Sequence, residues 1–401
     1  SRAMAALPHR GGPTLASYVQ LALLVSVLCT LLPADRAAAL ISAGEVALFG
    51  SFAVGSGEAH GRSGMAFAHY AVAVTLQFLP GRASVTAIVS VAIALCVTTY
   101  ARLVRVRRPS LPRLDEYVVV VTGSSAGIGA ETATQLLELG ATVVFACRSE
   151  SRARLAMDAA IAQSGAPAER AVFVPLDLGS CASVRECAWR VRALQGRCDV
   201  LVCNAGLLHP ERQLSTDGWE ANLACHTLGH HLLARLLLPL LRESPRGRLV
   251  SVSSTLHKSA TAAELLADPM VERRYSMFSA YGRSKLAQVA LTVELQRREP
   301  RVVCVSLHPG NIITEVTRDL PQLVQLAYRA VGPLIRFGAP SLYDGAATSV
   351  YAAASSDAAT LRGAYLERCQ PAQPHPDTCD VTVGHKLWEL SESLLKPWLR
   401  Q

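Results

Sequence analysis

Val118-Val-Val-Val-Thr122-Gly-Ser-Ser-Ala-Gly-Ile-Gly129 leads without a break into Ala130-Glu-Thr-Ala-Thr-Gln-Leu-Leu137. Four consecutive valines put apolar side chains on both faces of a strand. Such a strand must be covered on both sides, which places it inside a parallel sheet. Three glycines then separate it from an amphipathic helix. At these positions Gly123 permits a tight turn, Gly127 lets a pyrophosphate approach the backbone, and Gly129 lets the helix lie close to the sheet. The helix N-terminus aims unpaired N–H groups at the phosphate charge. Gly123, Ser125, Ala126, Gly127, Ile128 and Gly129 are thus the expected phosphate-facing residues of a dinucleotide site.

The same alternation continues downstream. Strands are expected at Tyr117–Thr122, Ala141–Cys147, Ala171–Pro175, Asp199–Cys203, Arg248–Ser253, Arg301–Leu307 and near Gly363–Leu366. Helices are expected at Gly129–Glu138, Arg152–Gln163, Ala182–Leu194, Thr216–Leu241, Ser279–Arg298 and Gly384–Leu399. Short apolar runs alternating with helical periods indicate βαβ units, hence an α/β, doubly wound parallel sheet of about seven strands.

The first hundred residues have another character. Leu15 to Leu32 carries no charge, and Val85 to Val104 carries only Arg102 near its end. Each is about the length that crosses a bilayer core as a helix. Ala37 to Gly55 and Gly64 to Leu79 are weaker candidates, interrupted by Glu45 and His69. Two to four membrane helices within residues 1–113, followed by a catalytic domain over 114–401, is the expected division. Arg105, Arg107, Arg108 and Arg113 hold the following domain on the cytosolic side, at the endoplasmic reticulum or another internal membrane. A cleaved signal peptide ending near Ala37-Ala-Ala39 is the alternative. The net charge of +8 is scattered and shows no aromatic-interleaved basic face, so nucleic acid is not an expected partner. The eleven cysteines lack metal-ligand spacing and sit mostly in apolar runs, so no metal site is expected.

The end of the second strand selects the nucleotide. It reads Phe145-Ala-Cys-Arg148, with no acid before Glu150 to hold a ribose 2′-hydroxyl. An arginine suits a 2′-phosphate, so the expected cofactor is NADP(H). Asp177, at the end of the third strand, is placed to accept from the adenine amino group. Downstream, Tyr281 and Lys285 stand four apart and so share one helix face. A phenol beside an ammonium at a dinucleotide site points to hydride transfer with proton exchange.

In order, Thr122–Gly129, Asp177-Leu178, Asn204-Ala-Gly206, Val252-Ser-Ser254, Tyr281-Gly-Arg-Ser-Lys285 and His308-Pro-Gly310 resemble the short-chain dehydrogenase/reductase family over about residues 115–400. Ala146-Cys-Arg148, Leu228-Gly-His230, His308-Pro-Gly-Asn311 and Gly345-Ala-Ala-Thr348 are most similar to its branch of WW-domain oxidoreductases and retinol dehydrogenases, here without a WW domain. The resemblance implies a Rossmann-like fold with Tyr281 as general acid or base. Lys285 would stabilise the phenolate and hold the nicotinamide ribose, and Ser254 would hydrogen-bond the substrate oxygen. It further implies that Asn204, Ala205 and Gly206 line the cofactor floor. Pro309 and Gly310 would shape the nicotinamide pocket, and Thr314 would reach the carboxamide. A homodimer through the two long helices is the family's frequent assembly.

One position departs from that pattern. Where the branch reads Val-Asn-His-Leu-Gly-His, this chain reads Cys225-His-Thr-Leu-Gly-His230, with His226 in place of Asn. The Asn supports a water-linked proton route to the lysine. His226, a residue type that titrates near neutral pH, is the expected replacement in catalysis, and Asn222 is the other source of that support. A cofactor-binding interaction protein of little activity is the competing expectation. Substrate pockets in the family form after the sixth strand. Here Leu320–Phe337 is apolar at helical spacing, as a lid over a lipophilic small-molecule substrate would be.

Overall fold

The computed structural model describes residues 109–310 and 341–399. The membrane spans expected before residue 105, Thr314 and the lid over 320–337 all lie outside these. Among the described residues no helix is long and apolar enough to cross a membrane.

Eight strands form one sheet: β1 (Val118–Thr122), β2 (Thr142–Cys147), β3 (Ala171–Pro175), β4 (Val200–Cys203), β5 (Arg248–Val252), β6 (Val303–His308), β7 (Tyr365–Glu367) and β8 (Gln370–Ala372). Their order is β3-β2-β1-β4-β5-β6-β7-β8, all parallel except for the β7–β8 pair. The direction of winding therefore reverses between β1 and β4. Open α/β sheets bind ligands in the crevice at the carboxyl ends of the strands beside such a reversal.

Side-chain parity divides the interior into two cores. Val118 and Val120 of β1 join Leu201, Leu249, Leu232, Leu237, Leu286 and Leu387 on one face. Val119 and Val121 join Phe145, Val202, Val250, Val305, Leu136 and Val350 on the other. The helices that supply these side chains are α1 (Gly127–Glu138), α2 (Glu150–Ser164), α3 (Cys181–Gln195), α4 (Leu223–Gly229 continued by His230–Glu243), α5 (Ala262–Ala267), α6 (Met277–Arg298), α7 (Leu342–Ala354) and α8 (Val381–Leu399). Cysteines 147, 181, 187, 198, 203, 225 and 304 are all buried among them.

The short helix α5 was not expected, and three further elements differ from expectation. Helix α4 does not start at Thr216: Gly218 takes φ +82°, and Leu214 bridges Glu220. The helix instead opens with a π-turn over Leu223–Gly229 before the regular stretch His230–Glu243. Helix α7 was not expected because Gly345-Ala-Ala-Thr-Ser has no amphipathic period; its small side chains are buried. It is capped by the Ser341 hydroxyl, which accepts from the Asp344 N–H at 3.1 Å. Strand β8 follows a two-residue turn in which Arg368 and Cys369 both adopt positive φ. Such turns are usually announced by Asn-Gly, and here nothing in the sequence announces one.

Helix α8 lies across α4 and α6. Trp388 packs edge-on against His231 at 4.8 Å, beneath the Arg298 guanidinium at 4.4 Å. Glu392 accepts from His231 Nε2 at 2.9 Å and pairs with Arg235. His231 and Arg235 of α4 and Arg298 of α6 are thus engaged by α8 within the chain.

Candidate active site

Thr122, the last residue of β1, ties the crevice together. Its Oγ1 accepts from the N–H groups of Asn204 and Ala205 at 2.9 and 3.0 Å, just beyond β4. Asn204 in turn donates through Nδ2 to the Thr122 carbonyl at 2.9 Å. The turn that follows has no room for side chains where it must be close. A Cβ on Gly123 (φ +66°) would fall 2.7 Å from Ala205 Cα, and one on Gly129 would fall 2.3 Å from Asn204 Nδ2. Gly127 (φ +58°) differs: a Cβ there meets nothing within 4 Å. The space above it is open, and the N-terminus of α1 has no side-chain cap and no acidic residue in its first turn. An open concavity lined by backbone N–H groups fits a pyrophosphate. Ser125, Ala126 and Ile128 are partly exposed around it. Arg148 stands exposed at the end of β2. Asp177 holds its own turn, its Oδ1 accepting from the Gly179 N–H at 2.9 Å.

On the other side of the crevice, α6 carries Tyr281 and Lys285, and Ser254 lies two residues past the end of β5. The Ser254 hydroxyl stands beside the Tyr281 phenol and acts to lower its pKa. Burial, the larger effect, pushes that phenol up to about 12. Lys285 is 2% exposed, with Nζ 5.7 Å from the centroid of the Tyr281 ring. It donates to the Val252 carbonyl at 2.9 Å and to Gln288 Oε1 at 3.0 Å, leaving one N–H for a further partner. Burial lowers this ammonium to about 8. The expected drop in the phenol's pKa is therefore not seen in this state, because desolvation outweighs the effect of the Ser254 hydroxyl. At pH 7 the phenol is protonated and the lysine mostly charged, the pair of states a proton donor to a carbonyl needs. Pro309 and Gly310 (φ +101°) directly follow β6 along the same edge of the sheet.

His226 is fully buried inside the π-turn. Its Nε2 accepts from the Leu207 N–H at 2.9 Å, so the proton is on Nδ1, 2.8 Å from Ser284 Oγ. Burial, aided by Lys285 and His230, holds its pKa well below the ordinary value. The expectation of a histidine titrating near neutral pH does not hold for this environment. Asn222 is turned toward Glu220, its Nδ2 donating to Glu220 Oε1 at 2.7 Å.

Four residues of this arrangement carried no expectation. Thr122 and Ser284 sit inside motifs but act through contacts that only the fold creates. Gln288 had a usable signal, being three residues from Lys285 on the same helix face. His257 supports Ser254: Nδ1 bonds the Ser254 carbonyl at 2.6 Å, while Nε2 accepts from the His375 N–H at 3.1 Å.

A doubly wound sheet with a glycine-lined anion cradle on one side of its switch point, and a serine, tyrosine and lysine on the other, defines a nicotinamide-dependent dehydrogenase or reductase. The sequence profile of the short chain dehydrogenase family matches residues 117–324, over half the chain. The chain belongs to the short-chain dehydrogenase/reductase family. Among similar proteins, the WW domain-containing oxidoreductase of Danio rerio is 35% identical over 71% of this chain and 69% of its own length. Mouse (Mus musculus) polyprenol dehydrogenase is 38% identical, covering 76% and 92%. Mouse retinol dehydrogenase 14 is 36% identical, covering 69% and 85%.

Proposed function

We propose that the chain is a membrane-anchored, NADP(H)-dependent oxidoreductase that interconverts a lipophilic alcohol and its carbonyl, of retinoid, sterol or isoprenoid type. The observation that carries the reading is the meeting of Ser254, Tyr281 and Lys285 across the crevice from the Gly123–Gly129 turn.

Bound NADPH would supply hydride to the substrate carbon. The backbone N–H groups of α1 and Gly127 would hold its pyrophosphate, Asn204 to Gly206 would floor its ribose, and the remaining N–H of Lys285 would reach the ribose hydroxyls. As charge builds on the substrate oxygen, Ser254 donates a hydrogen bond to it and the Tyr281 O–H transfers its proton. The phenolate left behind faces the Lys285 ammonium, and its charge is offset there rather than stranded in a buried site. Alcohol oxidation runs the same protons backwards.

The lipophilic substrate is supported by the names of two relatives, polyprenol and retinol dehydrogenase, and by the apolar segment 320–337. Anchoring is supported by the charge-free segment 15–32, by 85–104 and by the arginines after it, with 1–113 as anchor and 114–401 as catalytic domain. The test is a screen of long-chain and cyclic lipid ketones, aldehydes and alcohols with the full-length protein, followed at the reduced-nicotinamide absorbance. Turnover of apolar carbonyls with NADPH is expected. Tight NADPH binding with no turnover on any of them would favour the interaction-protein reading instead.

Arg148 decides the nucleotide. Glu150, the nearest acid, is paired with Arg154 at 2.6 Å, which leaves Arg148 as the charge beside the ribose position. Arg148→Ala should raise KM for NADPH about tenfold, the loss of one charge-assisted hydrogen bond, while KM for NADH stays within about twofold. Equal effects on both nucleotides would remove the NADP assignment.

A further inference from the structure

The network around His226 reaches both walls of the crevice. From the cofactor side, the Leu207 N–H, three residues after Asn204, donates to His226 Nε2. From the catalytic side, Nδ1–H points to Ser284 Oγ, whose own hydrogen goes to the Tyr281 carbonyl at 2.8 Å. The imidazole also stands edge-on to the Tyr281 ring, 5.2 Å between centroids at 82°. It fills the space beside Gly206, where a Cβ would lie 3.2 Å from Nε2 and 3.9 Å from Lys285 Nζ. His230, one turn on, fixes the strut from behind: Nδ1 bonds the His226 carbonyl at 3.2 Å and Nε2 meets Thr122 Oγ1 at 2.8 Å.

We infer that His226 is a positioning residue, a neutral clamp that joins the 204–207 floor to the tyrosine-bearing turn of α6 through its two ring nitrogens. The inference rests on the nucleotide-site reading of residues 204–207. It carries a consequence opposite to the one expected from the asparagine of related sequences: restoring that asparagine weakens this site. An asparagine amide reaches only as far as the Nδ1 position, so it keeps Ser284 and drops Leu207. A glutamine amide reaches the Nε2 position, so it keeps Leu207 and drops Ser284.

No proton leaves or joins this ring in the working range. The groups facing it are Lys285 and Tyr281 from α6, His230 from its own helix and His209 from the loop after β4; the cations among them oppose its protonation, as does burial.

The two variants separate the two arms. NADPH dissociation constants are read by nicotinamide fluorescence without substrate, and kcat and its pH profile are read with the best carbonyl of the screen. His226→Asn should weaken NADPH binding roughly five- to tenfold, the loss of one hydrogen bond that leaves the half-buried Leu207 N–H without it. His226→Gln should hold NADPH within about twofold and lose mainly kcat, since one hydrogen bond on the tyrosine side is gone. Wild type and His226→Gln should share a pH profile without a step near 6.5. A gain of rate in His226→Asn, unchanged binding in both variants, or a step near 6.5 that vanishes in His226→Gln would each overturn the clamp. Wild-type protein that binds no NADPH would overturn the nucleotide-site reading and the clamp with it. Wild-type binding with indifferent variants would overturn the clamp alone.

Discussion

Tyr281→Phe should lower kcat by about three orders of magnitude and leave NADPH binding within a few-fold of wild type. General acid catalysis contributes roughly 10²–10⁴, and among the described residues the phenol is the group placed and protonated for it. Ser254 is no substitute, because an unassisted hydroxyl holds its proton far more tightly than a phenol. Lys285 is turned toward Val252 and Gln288. The ring itself survives the substitution: the edge-on packing against His226 needs only the aromatic face, and the Ser254 hydroxyl keeps its bond from the Leu256 N–H at 3.3 Å. Binding should therefore separate cleanly from turnover, and the pH profile should lose the alkaline limb that phenol ionisation imposes. Burial puts that limb well above the ordinary tyrosine range, at about 12 in the cofactor-free enzyme. A Tyr281→Phe enzyme with a tenth or more of wild-type turnover would mean that another proton donor serves the carbonyl oxygen.

The sequence disclosed the parts of this site that are local and concealed those that depend on tertiary contact. β1 and the glycine turn were legible because valines on both parities and glycines at fixed intervals state their own conformational needs, and the strand ends within a residue of its expected place. Tyr281 and Lys285 were legible because helical spacing alone puts them together. His226 was visible as an oddity, but its chemistry was misread. Nothing local says that Leu207 donates to it, and that one backbone N–H fixes the tautomer. The start of α4 failed for a related reason: Thr216-Asp-Gly-Trp reads as a capped helix start, yet Asp217 Oδ2 instead accepts from the Cys181 N–H at 2.6 Å in α3. Helix α7 hid because total burial erases periodicity, leaving Ala and Ser on every face. The histidines show the pattern most clearly. His226, His230 and His257 are each held neutral by burial, with a backbone N–H or a hydroxyl at one ring nitrogen. Three groups that sequence chemistry would treat as proton carriers serve as fixed hydrogen-bonding struts behind the tyrosine, the turn and the serine.

Lys285→Met should abolish most turnover and, at the same time, remove a pH-dependent cost of folding. A buried ammonium with two carbonyl acceptors is held at about 8, against 10.5 for an ordinary lysine. Its folded pKa is depressed, so its contribution to stability rises with pH: absent below about 8, it grows as the unfolded chain alone retains the proton, and it is complete above 10.5. The full span is about 3 kcal/mol, of which most should be gained between pH 8 and 10. Other buried groups move the opposite way in that range, the Cys203 thiol and the Tyr281 phenol both being pushed up to about 12. The informative quantity is accordingly the difference in unfolding free energy between wild type and Lys285→Met, measured at each pH. In it the Tyr281 contribution cancels, and what remains is Lys285 with its coupling to the Cys203 and Cys225 thiols. That difference should shift in favour of wild type as pH rises from 8 to 10. NADPH should flatten it, because ribose hydroxyls and phosphate charge favour the ammonium and carry its pKa back up. Catalysis depends on the same electrostatics with the opposite sign: once the ammonium is gone, the phenolate formed after proton transfer has no counter-charge, and carbonyl reduction should fall by about 10²-fold or more. A Lys285→Met protein whose stability tracks wild type at every pH would mean that this lysine is already neutral or already paired in the free enzyme. The phenolate would then need a different partner.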